Sequence, residues 1–143
     1  MTATATKALN YLAEAEERWD SQPQITTCAR KLSQVNDERV TDICDCVLDI
    51  LSVLFDVSGR DLRQPGRSST SVARVRQIGM YVTHVTLGLS MAEVGRGFGR
   101  DRTTVMHACH LIEDMRDDPE FDQIVRMTER ITAIAFRHLG AAQ

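Results

Sequence analysis

FGRDRTTVMH, residues 98–107, decides the reading of this chain. A glycine stops one helical pattern and a new one opens with short polar groups. Surface helices usually begin with carboxylates, because the helix dipole favours negative charge at that end. Here Asp101 is the only acid, and Arg100, Arg102, Thr103 and Thr104 surround it. Such an opening suits a helix that faces a negative partner. Working outward, Ser90 and Glu93 have capping-box spacing at the start of the preceding pattern, SMAEVGRGF. Downstream, Val105, Ala108, Ile112 and Met115 recur at helical spacing and point inward. A short helix, a tight turn at Gly99 and a longer helix is the layout of a DNA-reading helix-turn-helix. Thr103, Thr104 and His107 fall on the face opposite the apolar one. Short hydroxyls suit close approach to base edges, and a threonine methyl can meet a thymine methyl. Arg100 and Arg102 sit where the sugar-phosphate backbone would pass. An ordinary αα-hairpin has the same spacing, so the pattern alone leaves both readings open.

Charge adds to this. The 143-residue chain has a net charge of −3. Residues 67–112 nevertheless carry six arginines and two acids, between acidic flanks. A local basic face can bind an anionic polymer on a molecule that is negative overall.

The rest of the chain also reads as helix. Leu9, Leu12, Ala15 and Trp19 mark a first segment, ending before Pro23. Val40, Ile43, Val47, Leu51 and Leu54 mark a second, opening at Asn36 or Asp37 and ending before Gly59. DLRQPGRSST, residues 61–70, reads as a turn. Val72, Val75, Ile78, Val82 and Val85 mark a third segment; its β-branched residues also suit strands, but their spacing is helical. The last pattern opens at Asp118-Pro119, an N-cap followed by proline at the first helical position. It runs through Phe121, Ile124, Thr128, Ile131 and Ala135. The expected fold is all-α with about six helices. The expected organisation is an N-terminal helical extension over 1–35, a helix-turn-helix domain over 36–116, and a C-terminal helix over 117–143 packing on it.

The strings SVARVRQIGMYV and TLGLSMAEVGRGFGRDRTTVMHACHLIEDM resemble the C-terminal DNA-binding domain of bacterial chromosomal replication initiators. That family shows an S-V-A-R-P-R-Q opening, an L-P-E-I-G start to the first motif helix and a G-R-D-H-T-T-V-x-H-A signature. The resemblance covers roughly residues 36–116. It implies that Arg74, Arg76 and Gln77 contact phosphates, that Asp101, Thr103 and Thr104 read bases, and that His107 lies on the backbone side. It also implies a basic loop reaching the minor groove. There the chain departs: PGRSST offers only Arg67. Val75 replaces a proline, one glycine before the signature arginine is missing, and Arg102 stands where the signature has histidine.

No catalytic role is expected. The chain has no G-x-x-x-x-G-K-[ST] phosphate loop, and GRGFGR follows a helical pattern and lacks lysine. It is too short for an ATPase module beside a DNA reader. Cys28, Cys44, Cys46 and Cys109 form no C-x-x-C pair and have no histidine at metal-site spacing, so they read as small core residues. His84 reads as a helix-surface residue, and no metal or other cofactor is expected. The absence of a long apolar run argues against a membrane span and for a cytoplasmic, nucleoid-associated protein. The expected partner is double-stranded DNA, bound sequence-specifically by a transcription or replication regulator. The alternative is a protein-interaction adaptor or antagonist built on a degenerate DNA reader, with Leu9, Leu12 and Trp19 docking on a partner or a second copy.

Overall fold

A computed structural model describes residues 37–137, and those residues form α-helices with no strand among them. The order is α1 (Asp37–Phe55), α2 (Gly59–Arg63), α3 (Thr70–Val85), α4 (Met91–Phe98), α5 (Arg102–Met115) and α6 (Pro119–Phe136). The segment with Leu9, Leu12 and Trp19 lies outside the described residues.

α1 begins with Asp37 and Glu38, which complement the positive end of its dipole. It buries Val40, Ile43, Cys44, Val47, Leu48 and Leu51. Asp56 ends it in the left-handed region (φ 52°), and the Val57 amide donates to the Ser52 carbonyl at 3.1 Å. This is the six-to-one bond of a Schellman stop, with aspartate where glycine is usual.

α3 is the central helix: α1, α2, α4, α5 and α6 all pack against it. Val75, Ile78, Tyr81 and Val82 are buried along it, so the valine-rich segment is helical as its spacing predicts. Val85 is the exception, at 49% exposed. His84 is half-buried, not a free surface residue, and its Nδ1 lies 2.7 Å from the Leu89 carbonyl. The chain turns there into α4.

Two further differences from the sequence reading have physical causes. α2 occupies part of the stretch read as a turn. Five residues are too few to show a period, and this helix forms because Leu62, 1% exposed, plugs the core while Ser58 caps it. Arg63 then fastens it to α1 through Asp49, at 2.8 Å. In α6 the buried residues are Val125, Thr128, Thr132, Ala133 and Phe136, whereas Ile124 and Ala135 are exposed. The helix is apolar around more than half its circumference, so its spacing fits two phases.

Arg116 locks α6 in place. Its Nε donates to Asp122 Oδ1 at 2.6 Å, and its Nη1 donates to Glu129 Oε1 and to the Tyr81 hydroxyl, both at 3.0 Å. One guanidinium thereby joins the end of α5 to α6 and α3. Cys44 and Cys109 are buried and Cys46 is exposed. Burial, with the Asp45 and Glu93 charges adding to it, pushes the Cys44 thiol up to about 12, so it stays protonated.

Candidate nucleic-acid interface

The α4–α5 pair is built by glycines and caps. Ser90 Oγ accepts from the Glu93 amide at 3.2 Å, and Glu93 Oε2 accepts from the Ser90 amide at 2.8 Å, closing the capping box. Gly99 ends α4 at φ 65°, a conformation costly for side chains with a Cβ. Gly95 lets the turn fold back on α4: a Cβ there would stand 2.7 Å from the Arg100 carbonyl oxygen. The Arg100 amide donates to the Gly95 carbonyl at 2.8 Å, which pins the turn. Gly97 faces the other way, and a Cβ on it would overlap Cys44 of α1. The glycines of GRGFGR are therefore packing devices of a helix-turn-helix.

α5 buries Val105, Ala108, Cys109 and Ile112 and turns Thr103, Thr104, His107 and His110 outward. Its first turn has no acid. Asp101 is the N-cap, yet its carboxylate makes no capping bond and is exposed. The opening of this helix thus presents two hydroxyls, an uncommitted carboxylate and the guanidinium of Arg102 on one outer surface.

The six arginines of residues 67–112 divide sharply. Arg96 pairs with Asp37 at 3.1 Å. Arg74 donates to Gln77 Oε1 at 3.0 Å. Arg100 donates to the Gln64 carbonyl at 2.8 Å, tying the helix-turn-helix turn to the loop before α3. Arg76 is 6% exposed. Its Nε and Nη2 donate to the Leu62 and Asp61 carbonyls at 2.9 and 3.0 Å, and its Nη1 to Ser68 Oγ at 3.2 Å. Arg67 and Arg102 are exposed and have no partner among the described residues.

The resemblance implies that Arg76 contacts phosphates; in the structure its guanidinium also donates to Leu62, Asp61 and Ser68 and so holds the wall of the cleft described below. α2 is so short that its last carbonyls have no helical partner, and Arg76 supplies the donors. Burial, and then the neighbouring Arg100 charge, lower its pKa. Arg76→Ala is expected to lower unfolding stability by about 2–3 kcal/mol, the usual cost of losing charged hydrogen bonds to buried carbonyls. Urea unfolding measures this, and a variant as stable as the parent contradicts the assignment.

A cleft of about 530 Å³ opens between α3, the loop at Gly66 and the start of α5. Arg76, Gln77, Arg100, Asp101, Thr104 and His107 line it. Arg67, Arg74, Arg102 and Thr103 are not among its lining residues. The positioning roles of Arg76 and Arg100 on the loop that carries Arg67 were not legible in the sequence, because their acceptors are backbone carbonyls and leave no residue signature.

Fold and surface together define a helix-turn-helix domain whose second helix opens with an exposed arginine. Residues 44–112 match the family described as bacterial dnaA protein helix-turn-helix, and this part of the chain is a domain of that replication-initiator type. The chromosomal replication initiator protein DnaA of Lachnoclostridium phytofermentans is 32% identical over 91 residues, which are 62% of this chain and 20% of that protein. That of Mycobacteroides abscessus is 36% identical over 87 residues, 59% of this chain and 18% of that protein. The chain thus spans about a fifth of the length of these relatives. Among the described residues, no helix is long and apolar enough to cross a membrane, and no group of three or more His, Cys, Asp or Glu is placed to hold a metal.

Proposed function

We propose that this protein binds duplex DNA sequence-specifically and acts in the cytoplasm, at the nucleoid, as a transcription or replication regulator. α5 lies in the major groove with Thr103 and Thr104 on base edges and Arg102 on a guanine. Arg67 contacts the backbone beside it. The cleft lined by Arg76, Gln77 and Arg100 accepts a phosphate, with Arg74 holding Gln77 from outside. Asp101 accepts from a base amino group, and His107 lies toward the backbone. No catalytic step belongs to this reading.

One observation carries it. Four of the six arginines of the basic block are held by protein groups, whereas Arg67 and Arg102, the first residue of α5, are exposed without a partner among the described residues. A solvated structural helix pair has no use for that arrangement. The relatives' name, chromosomal replication initiator protein, agrees with a role on chromosomal DNA.

Selection from random duplexes at physiological salt tests the reading. An enriched motif supports it; retained weak binding without enrichment favours the adaptor or antagonist. Arg67→Ala is expected to weaken binding evenly across sequences. The slope of log K against log salt should then fall in magnitude by about 0.9, the counterion equivalent of one phosphate contact. An unchanged slope removes Arg67 from the interface.

A further inference from the structure

α6 keeps an apolar face that the described core does not use. Ile124 and Ile134 are 39% and 48% exposed, and Met127 and Ile131 are half-buried between them. Positions 124, 127, 131 and 134 are spaced three, four and three apart, so they form one stripe down the helix. At 100° per residue, Arg126, Arg130 and Arg137 lie together along one flank of it. The core-facing side, Val125, Thr128, Thr132 and Phe136, is already occupied. A helix that is apolar this far round normally packs on two sides.

The chain itself carries a matching surface. Read at helical spacing, Leu9, Leu12, Ala15 and Trp19 share one face, with Glu16 inside it and Asp20 and Glu17 beyond its Leu9 edge. Asp20 and Glu17 are opposite in charge to Arg126, which is exposed beside the α6 stripe. Residues 21–36 separate this stretch from α1, and sixteen residues reach up to about 50 Å when extended. A domain of this size is roughly 35 Å across, so the tether reaches any face. Tethering also holds the stretch at an effective concentration on the order of millimolar. That exceeds the concentration of any second copy in dilute solution and favours the chain's own segment as the occupant.

We propose that residues 5–20 dock as an amphipathic helix on the α6 stripe, covering Ile124, Ile131 and Ile134. The stripe is an intramolecular docking surface, independent of how α5 meets its partner.

Trp19 is the chain's single tryptophan, so its fluorescence reports on this contact alone. In the full-length protein, emission is expected to be blue-shifted and protected from acrylamide, equally at sub-micromolar and tens-of-micromolar protein. Ile134→Asp, at a half-exposed position, should shift emission to the red and raise quenching several-fold while the helical circular dichroism stays intact. Leu12→Asp, which lies outside the described domain, should do the same and guards against a misfolded Ile134 variant. Three outcomes overturn the proposal: Trp19 as accessible as in a free peptide, protection indifferent to both substitutions, or protection that disappears on dilution. The last identifies a second copy as the occupant.

Discussion

Gly97→Ala is expected to destabilise the domain although alanine is the better helix former. Exchanging glycine for alanine inside a helix normally gains up to about 1 kcal/mol. Here the new methyl would overlap the Cys44 side chain and stand 2.6 Å from its Cβ. A Cβ is fixed to its backbone and cannot rotate away, so α1 must retreat from α4. Overpacking of this kind costs about 1–3 kcal/mol, and a valine more. The α1–α4 contact is among the most extensive in the domain, so little of that strain can be absorbed locally. Thermal unfolding should show Gly97→Ala melting about 4–24 °C lower, since 1 kcal/mol shifts a domain of this size by about 4–8 °C. Adding Cys44→Ala removes the sulfur but leaves the Cβ. The pair should therefore recover part of the loss, with a favourable coupling on the order of 1 kcal/mol in a double-mutant cycle. A Gly97→Ala protein as stable as the parent would show that the two helices are not held at glycine distance.

The same residues show what a sequence exposes and what it hides. The α4 capping box, the Gly99 stop and the Asp118-Pro119 start were all legible, because a cap is a local bond between residues two to four apart. Asp118 accepts from the Glu120 amide at 3.0 Å, so even the bond partner lies nearby in sequence. Val105, Ala108 and Ile112 of α5 were legible as inward positions from their spacing, whereas Met115 at the end of the helix is only half-buried. α6 permitted two phases, and only contact with α3 and α1 chose between them. Gly95 and Gly97 were visible as glycines, but their reasons are distant: the Arg100 carbonyl folded back in one case, Cys44 of another helix in the other. The site divides in the same way. The exposed polar start of α5 could be read from composition. The fates of Arg76 and Arg100 could not, since each is settled by carbonyls that the chain brings close from 14 and 36 residues away.

That division makes Arg102 the most informative residue to change. It is the first residue of α5, exposed, and without a partner among the described residues. Residues at the start of a recognition helix are those that meet base edges. A guanidinium fork matches guanine O6 and N7 with two parallel bonds, which a histidine at the same position cannot make. The selected motif should therefore contain a guanine next to the positions governed by Thr103 and Thr104. Arg102→Ala is expected to flatten that one position, losing about 1–3 kcal/mol of discrimination, or roughly 5- to 150-fold, while the others keep their preference. Arg102→Lys should retain attraction without the fork and recover little of the preference. Arg67→Ala offers the contrast, an even loss across all sequences. Should Arg102→Ala also weaken every duplex alike, its side chain grips phosphate and the guanine assignment fails, while duplex binding itself stands. Binding at full strength to every sequence by Arg102→Ala would go further and remove the start of α5 from the interface.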